Sequence, residues 1–398
     1  MKRILHVTGT YKKDGSTYST ILLHNYLKKQ GYLSRVVFLS DNQTSSVKNI
    51  NPTTRNKIIF FFLNKLNTFV VKILKKNKSF AFFNNSIGTG IIDIIKSENP
   101  DIVHFHWMPR SIRLSELKNI DRKIIWTVRD FWPFTGGCNV PINCNKFLTH
   151  CNNCPNLKTN FNNDLSYYNF KEKKNIYKFL KNITLTFPCS DFKNIYKKSI
   201  LNKIKNFEII PNALDESFKK FSPVKIKKQN YSIIFGAQNL DQEWKGTNII
   251  IKIIEKLKKE NIDFIIFGQT EKYKDYFNNN KKVKYMGYIE SRYKLKKIFR
   301  KSNLFIFPSY YESFGKTIIE SLACGIPIIA NNKYGAKDII SHKKDGYLVN
   351  NQNINEYIKG IKYFKNLNSE VSQKCIKKSK TYYIDKIGKK FIDLYSKL

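Results

Sequence analysis

The fold is decided by residues 304–330, which read LFIFPSYYESFGKTIIESLACGIPIIA. The first four residues are apolar and predict a buried strand that ends at Pro308. A loop follows, and then a helix that begins near Gly315 and ends at Gly325, because glycine favours the position just after a helix. The last residues predict a second strand. A strand, a helix and a strand in this order are typical of a parallel α/β sheet.

The same alternation of strand and helix patterns extends through most of the chain. Strand patterns lie at 4–7, 36–39, 102–107, 124–128 and 185–188, and a second series lies at 232–236, 264–268, 283–287, 304–308 and 327–330. Helical patterns lie between them, among others at 17–30, 247–258, 292–300 and 317–324. We therefore predict an α/β fold with two Rossmann-like domains, at 1–208 and 209–380, followed by a helix at 381–398.

The composition excludes a disordered chain and narrows the range of partners. Hydrophobic residues make up 41% of the 398 residues, which is enough for two cores. The net charge is +41, yet only nine of the 71 basic residues are Arg. Because nucleic-acid binders favour Arg clusters, we attribute the charge to lysine-rich codon usage or to an anionic membrane surface, and we disfavour nucleic acid.

The apolar segments predict a cytoplasmic protein, with peripheral membrane contact as the one open question. No leader pattern precedes the strand at 4–7, and no apolar run is long enough to span a bilayer. Residues 55–84 interleave phenylalanine and aliphatic residues with lysine. This segment is either a helix packed on the first sheet with a solvated lysine face, or a basic amphipathic element on the inner membrane face.

Two carboxylates, Glu312 and Glu320, flank the predicted start of the helix. The free amides of Phe314, Gly315 and Lys316 follow a strand and begin a helix, where open α/β sheets bind anionic ligands. Carboxylates accept hydrogen bonds from sugar hydroxyls. The alternative is that Glu320 pairs with Lys316 one turn away and that Glu312 is a solvated acid.

This region resembles the signature of the family 4 retaining glycosyltransferases, which have the GT-B fold of two Rossmann-like domains facing across a cleft. That signature, PS-x-x-E-x-FG-x-x-x-x-E-A-x-A-x-G-x-P, separates two Glu residues by seven positions, and this chain departs from it at Ser321. The resemblance implies that Glu320 binds the ribose hydroxyls of a nucleotide and that Glu312 contacts the donor sugar. The amides of residues 314–316 would contact the sugar and the diphosphate.

The start of the second domain also resembles the family. Gly236 ends a predicted strand, and Trp-Lys-Gly follows at 244–246. The resemblance implies that the backbone at Gly236 approaches the donor and that Lys245 binds its diphosphate, so that no metal cofactor is needed for catalysis. The family usually has an Arg shortly after this glycine, whereas this chain has Ala237 and Gln238.

The resemblance extends over the rest of the chain. Residues 7–20, with Gly15, look like the family's glycine-rich loop on the acceptor side. Residues 210–215, IPNALD, resemble the segment between the two domains. The last helix, 381–398, resembles the piece that crosses back to the first domain.

Residues 101–107, DIVHFHW, and 126–138, WTVRDFWPFTGGC, resemble the branch of this family that makes bacterial surface polysaccharides such as colanic acid. That branch has a His-Asp dipeptide where this chain has Arg129 and Asp130. Arg129 can stabilise phosphate charge, but it cannot act as a base near neutral pH. Asp130 is either a site residue or a structural acid that forms a cap or a salt bridge. We favour His106 as a further site residue over a structural histidine, because it lies near the carboxyl end of its strand.

Four cysteines cluster in a predicted insertion at 138–155, namely Cys138, Cys144, Cys151 and Cys154. Their C-x2-C half is a frequent spacing of zinc ligands, and thiols of a cytoplasmic protein are not expected to form disulfides. The sequence predicts a structural zinc ion. Free thiols and a redox pair are the alternatives.

Together with the resemblance, these features predict the retaining transfer of a hexosyl unit from a UDP- or GDP-sugar to a glycan acceptor. We expect the acceptor to be lipid-linked and the product to be a cell-surface polysaccharide. Three alternatives stay open: a GT-B protein with weak or no catalytic activity, a nucleotide-sugar epimerase, and a nucleic-acid-binding protein.

Overall fold

The computed structural model describes residues 2–8, 15–38, 48–49, 54–76, 81–85, 91–109, 111–224, 231–366 and 370–398. The chain divides into two compact units. The first consists of Met1–Ala213 together with Ile387–Leu398, and the second of Leu214–Lys386. The sequence placed this division after residue 208 and the return of the chain after residue 380.

The first unit is built on a parallel sheet with the strand order β3-β2-β1-β4-β5-β6-β7 in its described part. The strands are β1 Arg3–Thr8, β2 Leu33–Phe38, β3 Lys48–Asn49, β4 Ile102–Phe105, β5 Lys123–Thr127, β6 Ile183–Phe187 and β7 Asn206–Ile209. The helices are α1 Gly15–Lys29, α2 Thr54–Leu74, α3 Ile91–Glu98, α4 Leu165–Tyr177 and α5 Ser190–Lys198. Strands β4 and β6 are buried at every position, as expected for a sheet covered on both faces.

The second unit has a parallel sheet with the order β10-β9-β8-β11-β12-β13. Its strands are β8 Tyr231–Asn239, β9 Ile262–Gln269, β10 Val283–Tyr285, β11 Leu304–Phe307, β12 Ile328–Asn331 and β13 Gly346–Val349. Its helices are α6 Thr247–Lys256, α7 Lys274–Asn279, α8 Arg292–Lys301, α9 Lys316–Ala323, α10 Tyr334–Ile339, α11 Ile354–Lys365 and α12 Glu370–Ser379. The two predicted Rossmann-like series are thus confirmed as two parallel α/β sheets.

Short 3₁₀ helices connect several of these elements. They span Leu114–Asn119, Trp132–Phe134, Lys146–Leu148, Ile200–Lys203, Glu216–Phe218, Glu243–Lys245 and Lys380–Tyr382. The turn at Glu243–Lys245 precedes α6 in the second unit. The turn at Trp132–Phe134 begins the Cys-rich segment of the first unit.

The last helix, α13 Ile384–Lys397, belongs mostly to the first unit. The hydroxyl of Tyr395 lies 2.8 Å from Nδ1 of His104 in β4, and Nζ of Lys2 donates to the Tyr395 carbonyl. A Cβ on Gly388 would come within 2.3 Å of the Tyr26 ring, so this helix packs tightly on α1. Within the described residues, no helix combines the length and the apolar character that crossing a membrane requires.

Candidate functional site

The loop with the two carboxylates lies between β11 and α9 in the second unit. Gly315 precedes the first residue of α9 and has φ +83°, a left-handed conformation that costs other residues free energy. The predicted helix start at residues 315–316 is therefore correct. Helix α9 ends before Gly325, which has φ +79°.

Glu312 and Lys245 meet in an ion pair of 2.7 Å between Oε2 and Nζ, and both side chains are largely buried. The loop of Glu312 is fixed next to the turn of Lys245, because the Tyr310 amide donates to the Trp244 carbonyl at 2.7 Å. Gly246 permits this close approach, since a Cβ there would lie 2.5 Å from the Pro308 carbonyl oxygen. The structure thus brings together two predicted site residues that are far apart in the sequence.

Glu320 is almost completely buried in α9, and its carboxylate pairs with the guanidinium of Arg292 at the start of α8. The sequence interpretation did not include Arg292. One signal was available: Arg292 is one of only nine arginines in a lysine-rich chain. A buried acid that is paired with arginine has a fixed position, which suits an acceptor for ligand hydroxyls.

Two other predicted donor-site residues shape the backbone. Gly236 lies inside β8, where a Cβ would come within 2.4 Å of the Phe267 ring. Phe314 is buried and its ring contacts Tyr382 edge-on, with 5.8 Å between the ring centroids. Lys316 is the first residue of α9, two positions after the buried Phe314.

Three histidines of the first unit form a buried group next to Arg129. His6, His104 and His106 have ligand-type nitrogen atoms that all lie within 4.8 Å of one another, and the group is the one of this kind among the described residues. Nδ1 of His6 lies 2.9 Å from Nε2 of His106. Burial lowers the pKa of His6 to about 3 and those of His104 and His106 well below their usual value, so all three rings are neutral.

Arg129 orders this group. Its guanidinium donates to Nδ1 of His106 at 3.2 Å and to Oδ1 of Asn212 at 2.5 Å. A neutral His106 that accepts at Nδ1 carries its proton on Nε2, and it therefore donates to Nδ1 of His6. The positive charge of the adjacent guanidinium would repel a metal ion at these histidines. We therefore interpret the three histidines as a hydrogen-bonded chain.

The Asp130 carboxylate makes its hydrogen bonds outside this group of histidines. It accepts the Trp132 amide at 3.0 Å and the Trp107 indole N–H at 3.2 Å. Burial raises its pKa to about 6 despite these two hydrogen bonds. These contacts correspond to the structural alternative for Asp130, which holds the first turn of the 3₁₀ helix Trp132–Phe134.

The four clustered cysteines, Cys138, Cys144, Cys151 and Cys154, line one small pocket in the first unit. Burial raises the pKa of Cys138 well above the usual thiol value and that of Cys151 to about 12. Unlike the three histidines, their sulfur atoms are not gathered within 4.8 Å of one another. The zinc ion stays a prediction at this point.

Helix α2 covers residues of the segment for which the sequence left two interpretations. Its carboxyl end packs through buried Val71 on Cys138, Cys154 and Leu157 of the Cys-rich segment. Large apolar side chains on the described part of the helix are exposed: Phe62, Leu66, Phe69, Val70 and Ile73. Gly15, at the start of α1, is exposed with open space around it, and residues 9–14 of the predicted glycine-rich loop lie outside the described residues.

Comparison with known proteins assigns the second unit. Residues 217–382 match the family model described as Glycosyl transferases group 1. An uncharacterized 41.2 kDa protein in the cps region of Klebsiella pneumoniae is 28% identical over 166 residues, which cover 39% of this chain and 44% of that protein. A putative colanic acid biosynthesis glycosyl transferase of Escherichia coli K12 is 22% identical over 281 residues, 65% of this chain and 66% of that protein. The chain thus spans less than half of the first relative and about two thirds of the second.

Among solved structures, Anabaena HepE in complex with UDP and glucose aligns with a TM-score of 0.64 and 15% identity, covering 100% of both chains. At this identity the likeness shows the fold alone, which is GT-B, as the resemblance implied. Residues 217–382 of the second unit thus match the group 1 glycosyl transferase model in sequence, and the solved structure adds the fold.

Proposed function

We propose that the protein transfers a hexosyl unit, with retention, from a UDP- or GDP-sugar to a glycan acceptor in surface-polysaccharide synthesis. The single observation that carries the proposal is the Glu312–Lys245 pair beside the amino end of α9. It lies in the unit that matches the glycosyl transferases group 1 model. The relatives from a cps region and from colanic acid synthesis support the pathway class.

The charges around this loop suit a departing nucleoside diphosphate. As the bond from the anomeric carbon to the diphosphate oxygen breaks, the electron pair stays on the diphosphate. The acceptor oxygen forms the new bond to the anomeric carbon, and its proton passes to the departing diphosphate oxygen. Lys245 and the amides of Phe314, Gly315 and Lys316 stabilise the charge that develops on the leaving group. Glu312 then accepts hydroxyls of the sugar, and Glu320, oriented by Arg292, accepts those of the ribose.

Isothermal titration with UDP and GDP tests the donor site. We expect one of the two nucleotides to bind the wild-type protein and Glu320→Ala to weaken that binding by at least about tenfold, as for a lost charge-assisted hydrogen bond. Glu356→Ala is the matched control, because it removes an acid of the same unit that pairs with Lys359 at the surface. Equal affinity of Glu320→Ala and wild type, or no binding of either nucleotide to wild type, contradicts the assignment.

The exposed face of α2 supports a lipid-linked acceptor at an anionic membrane surface. Phe62, Leu66, Phe69 and Ile73 recur at helical spacing and are each at least half exposed. Helix α2 has no acidic residue in its sequence, and lysines lie beside the apolar face. An apolar face next to lysines is the arrangement that inserts shallowly among anionic lipids.

Vesicle flotation tests this surface. We expect the protein to float with vesicles of phosphatidylglycerol and phosphatidylcholine, and to do so less when Lys65 and Lys72 are both changed to Glu, because each lysine near the surface contributes about 1 kcal/mol. Lys28→Glu with Lys29→Glu, at the end of α1, makes the same charge change elsewhere on the first unit. Equal loss of binding in both double variants would indicate a response to net charge alone and contradict a specific role of α2.

A GT-B protein with weak activity is the second candidate, and Arg129 is the observation that favours it. Its guanidinium is bonded to His106 and Asn212, where the resembling branch has a histidine that can exchange protons. Donor binding without donor hydrolysis or transfer would support this candidate. The match to the group 1 model favours both of these candidates over an epimerase and over nucleic-acid binding.

A further inference from the structure

The Cys-rich segment of the first unit contains a small pocket lined by its four cysteines. Cys138, Cys144, Cys151 and Cys154 come from three separate turns of the segment and line a pocket of about 10 Å³. That volume corresponds to roughly one water-sized sphere. The other three cysteines of the chain are buried in other parts of the fold and do not line this pocket.

A backbone amide points at one of the sulfur atoms. The Gly136 amide donates to Sγ of Cys151 at 3.2 Å. An amide directed at sulfur stabilises a thiolate, and such contacts orient the ligands of metal sites. The Leu157 amide donates to the Cys154 carbonyl at 3.1 Å and closes the turn after this cysteine. The turn after Cys154 is itself fixed, because the Cys154 amide donates to the buried carboxylate of Asp164 at 2.6 Å.

A buried lysine fixes the residues that precede the first cysteine. Lys173 in α4 is fully buried, and its Nζ donates to the carbonyls of Trp132 and Thr135. It lies 3.7 Å from the centroid of the Trp132 ring. The start of the Cys-rich segment is therefore tied to α4.

The same segment holds the carboxyl end of α2. The Lys158 amide donates to the Leu74 carbonyl at 2.7 Å, and the Lys76 amide donates to the Asn156 carbonyl at 3.1 Å. Lys75 and Leu157 form an antiparallel bridge between these two hydrogen bonds. Residues that follow α2 are also paired with the segment, since Phe82 forms an antiparallel bridge with Cys138. The helix thus depends on turns that have little regular structure of their own.

We propose that Cys138, Cys144, Cys151 and Cys154 bind one Zn²⁺ as thiolates, and that this ion anchors the carboxyl end of α2 to the first unit. Binding draws the four sulfur atoms together to tetrahedral distances and fixes the turn at residues 154–158. Because that turn carries the hydrogen bonds to α2, the ion also fixes the position of the exposed apolar face. The proposal does not depend on the glycosyl transfer proposed above.

Metal analysis of the full-length protein, purified under reducing conditions without chelators, tests the binding site. We expect about one zinc ion per chain, released when a mercurial reagent titrates the thiols. Cys144→Ser and Cys154→Ser should lose the ion, whereas Cys375→Ala, which changes a buried cysteine of the second unit, should keep it. Because a cysteine variant can fail to fold, cobalt substitution of the wild type gives an independent reading: tetrahedral sulfur ligation gives intense d–d and charge-transfer bands.

Hydrogen exchange tests the anchoring role. Stripping the metal should accelerate exchange at the amides of Lys75, Lys76 and Lys158 by at least about tenfold, and leave β6 unchanged. A chain that binds neither zinc nor cobalt at the cysteines would overturn the site. Metal binding with unchanged exchange at these amides would overturn the anchoring. Nucleotide titration of the same sample reports on the donor site separately, so the failure of one proposal is distinguishable from the failure of the other.

Discussion

The loop of Glu312 in the second unit and the histidine group of the first unit are built on opposite electrostatic principles. In the second unit, each predicted acid has a cationic partner: Lys245 pairs with Glu312, and Arg292 pairs with Glu320. Around His106, the imidazoles are buried and neutral, and Arg129 is bonded to neutral acceptors. Ion pairs at the end of a sheet can exchange partners with a charged ligand, whereas a chain of neutral rings with fixed tautomers cannot exchange without losing hydrogen bonds.

This difference shows when a sequence motif is sufficient to predict the geometry of its site. The two predicted motifs of the second unit contain Gly246 and Gly315, which permit the backbone geometry of their loops, so sequence and geometry agree there. In the first unit, Arg129 lies where the resemblance predicts His, and its guanidinium is part of the hydrogen-bonded chain to His106. The second unit therefore predicts nucleotide binding, and the first unit is where variants should be tested for activity.

The largest effect should come from Lys245→Ala. It removes the cation nearest the proposed diphosphate, so kcat/KM for donor consumption should fall by about 100- to 1000-fold, as for other lost leaving-group or oxyanion contacts. Lys359→Ala is a close control, since Lys359 also pairs with a glutamate at 2.7 Å but is exposed. Solvent screens that surface pair, so it contributes little to stability. Similar losses in the two variants would remove the distinction between a site pair and a surface pair.

The next effect should be a loss of stability of the first unit on acidification. The folded pKa of His6 is about 3 and that of His24 about 4, both below the unfolded value of 6.5. The unfolded state therefore binds more protons between about pH 6.5 and 4, and stability falls as the pH falls, by at most about 1.4 kcal/mol per histidine and pH unit. Asp130, with a folded pKa of about 6, acts in the opposite direction, since its stabilisation is lost as the pH rises.

Tryptophan fluorescence can isolate this unit. Trp107, Trp126 and Trp132 lie in the first unit and Trp244 in the second, so Trp244→Phe leaves reporters in the first unit alone. Urea unfolding of this variant at pH 7 and pH 5.5 should show lower stability at the lower pH. A stability that is unchanged or higher at pH 5.5 would mean that the histidines are not buried as neutral rings.

The sequence predicts features that depend on local interactions better than features that depend on contacts between distant residues. The helix start at Gly315 and its end at Gly325 were predictable, because glycines there act through the local backbone. Arg292 was not predictable as the partner of Glu320, since the two are 28 residues apart and meet only through packing of α8 and α9. Strand β7 was missed because it is a short edge strand whose residues are partly or fully exposed.

The helix predicted at 381–398 begins at Ile384 and is separated from α12 by a short break. Neither glycine nor proline marks a break there, yet α12 ends at Ser379 and α13 begins at Ile384. Tyr383 is extended because Leu214 pairs with it: the Leu214 amide donates to the Tyr382 carbonyl, and the Ile384 amide donates to the Leu214 carbonyl. This contact joins residues about 170 positions apart in the chain, and local sequence patterns do not report such contacts.

A smaller effect is expected from Gly315→Ala. The left-handed backbone and a Cβ placed 2.6 Å from Cδ1 of Ile318 should destabilise the second unit by about 1–3 kcal/mol, measured by urea unfolding. Gly15→Ala changes a glycine of the first unit that has open space around it, and its effect should stay within about 0.5 kcal/mol. If the two variants were equally stable, the loop of Glu312 would not need its glycine, and the link between motif and geometry would fail.

The smallest effect on nucleotide affinity should come from Arg129→Met, which makes it the sharpest test of the division between the two sites. Methionine keeps the length of the side chain but leaves Nδ1 of His106 and Oδ1 of Asn212 without their donor, so the first unit should lose about 1–3 kcal/mol of stability. The affinity of the second unit for UDP or GDP should change by less than about twofold, since additivity holds for distant sites. Turnover of the donor should fall while this affinity holds, because Arg129 then acts on a later step than nucleotide binding.

Arg129→Lys, which restores a positive charge without the planar donor pair, should recover part of the turnover if charge is what matters, and none if the hydrogen-bond chain to His6 is what matters. A large loss of nucleotide affinity in Arg129→Met would show instead that the donor site depends on the first unit, and the comparison of two separately built sites would have to be abandoned.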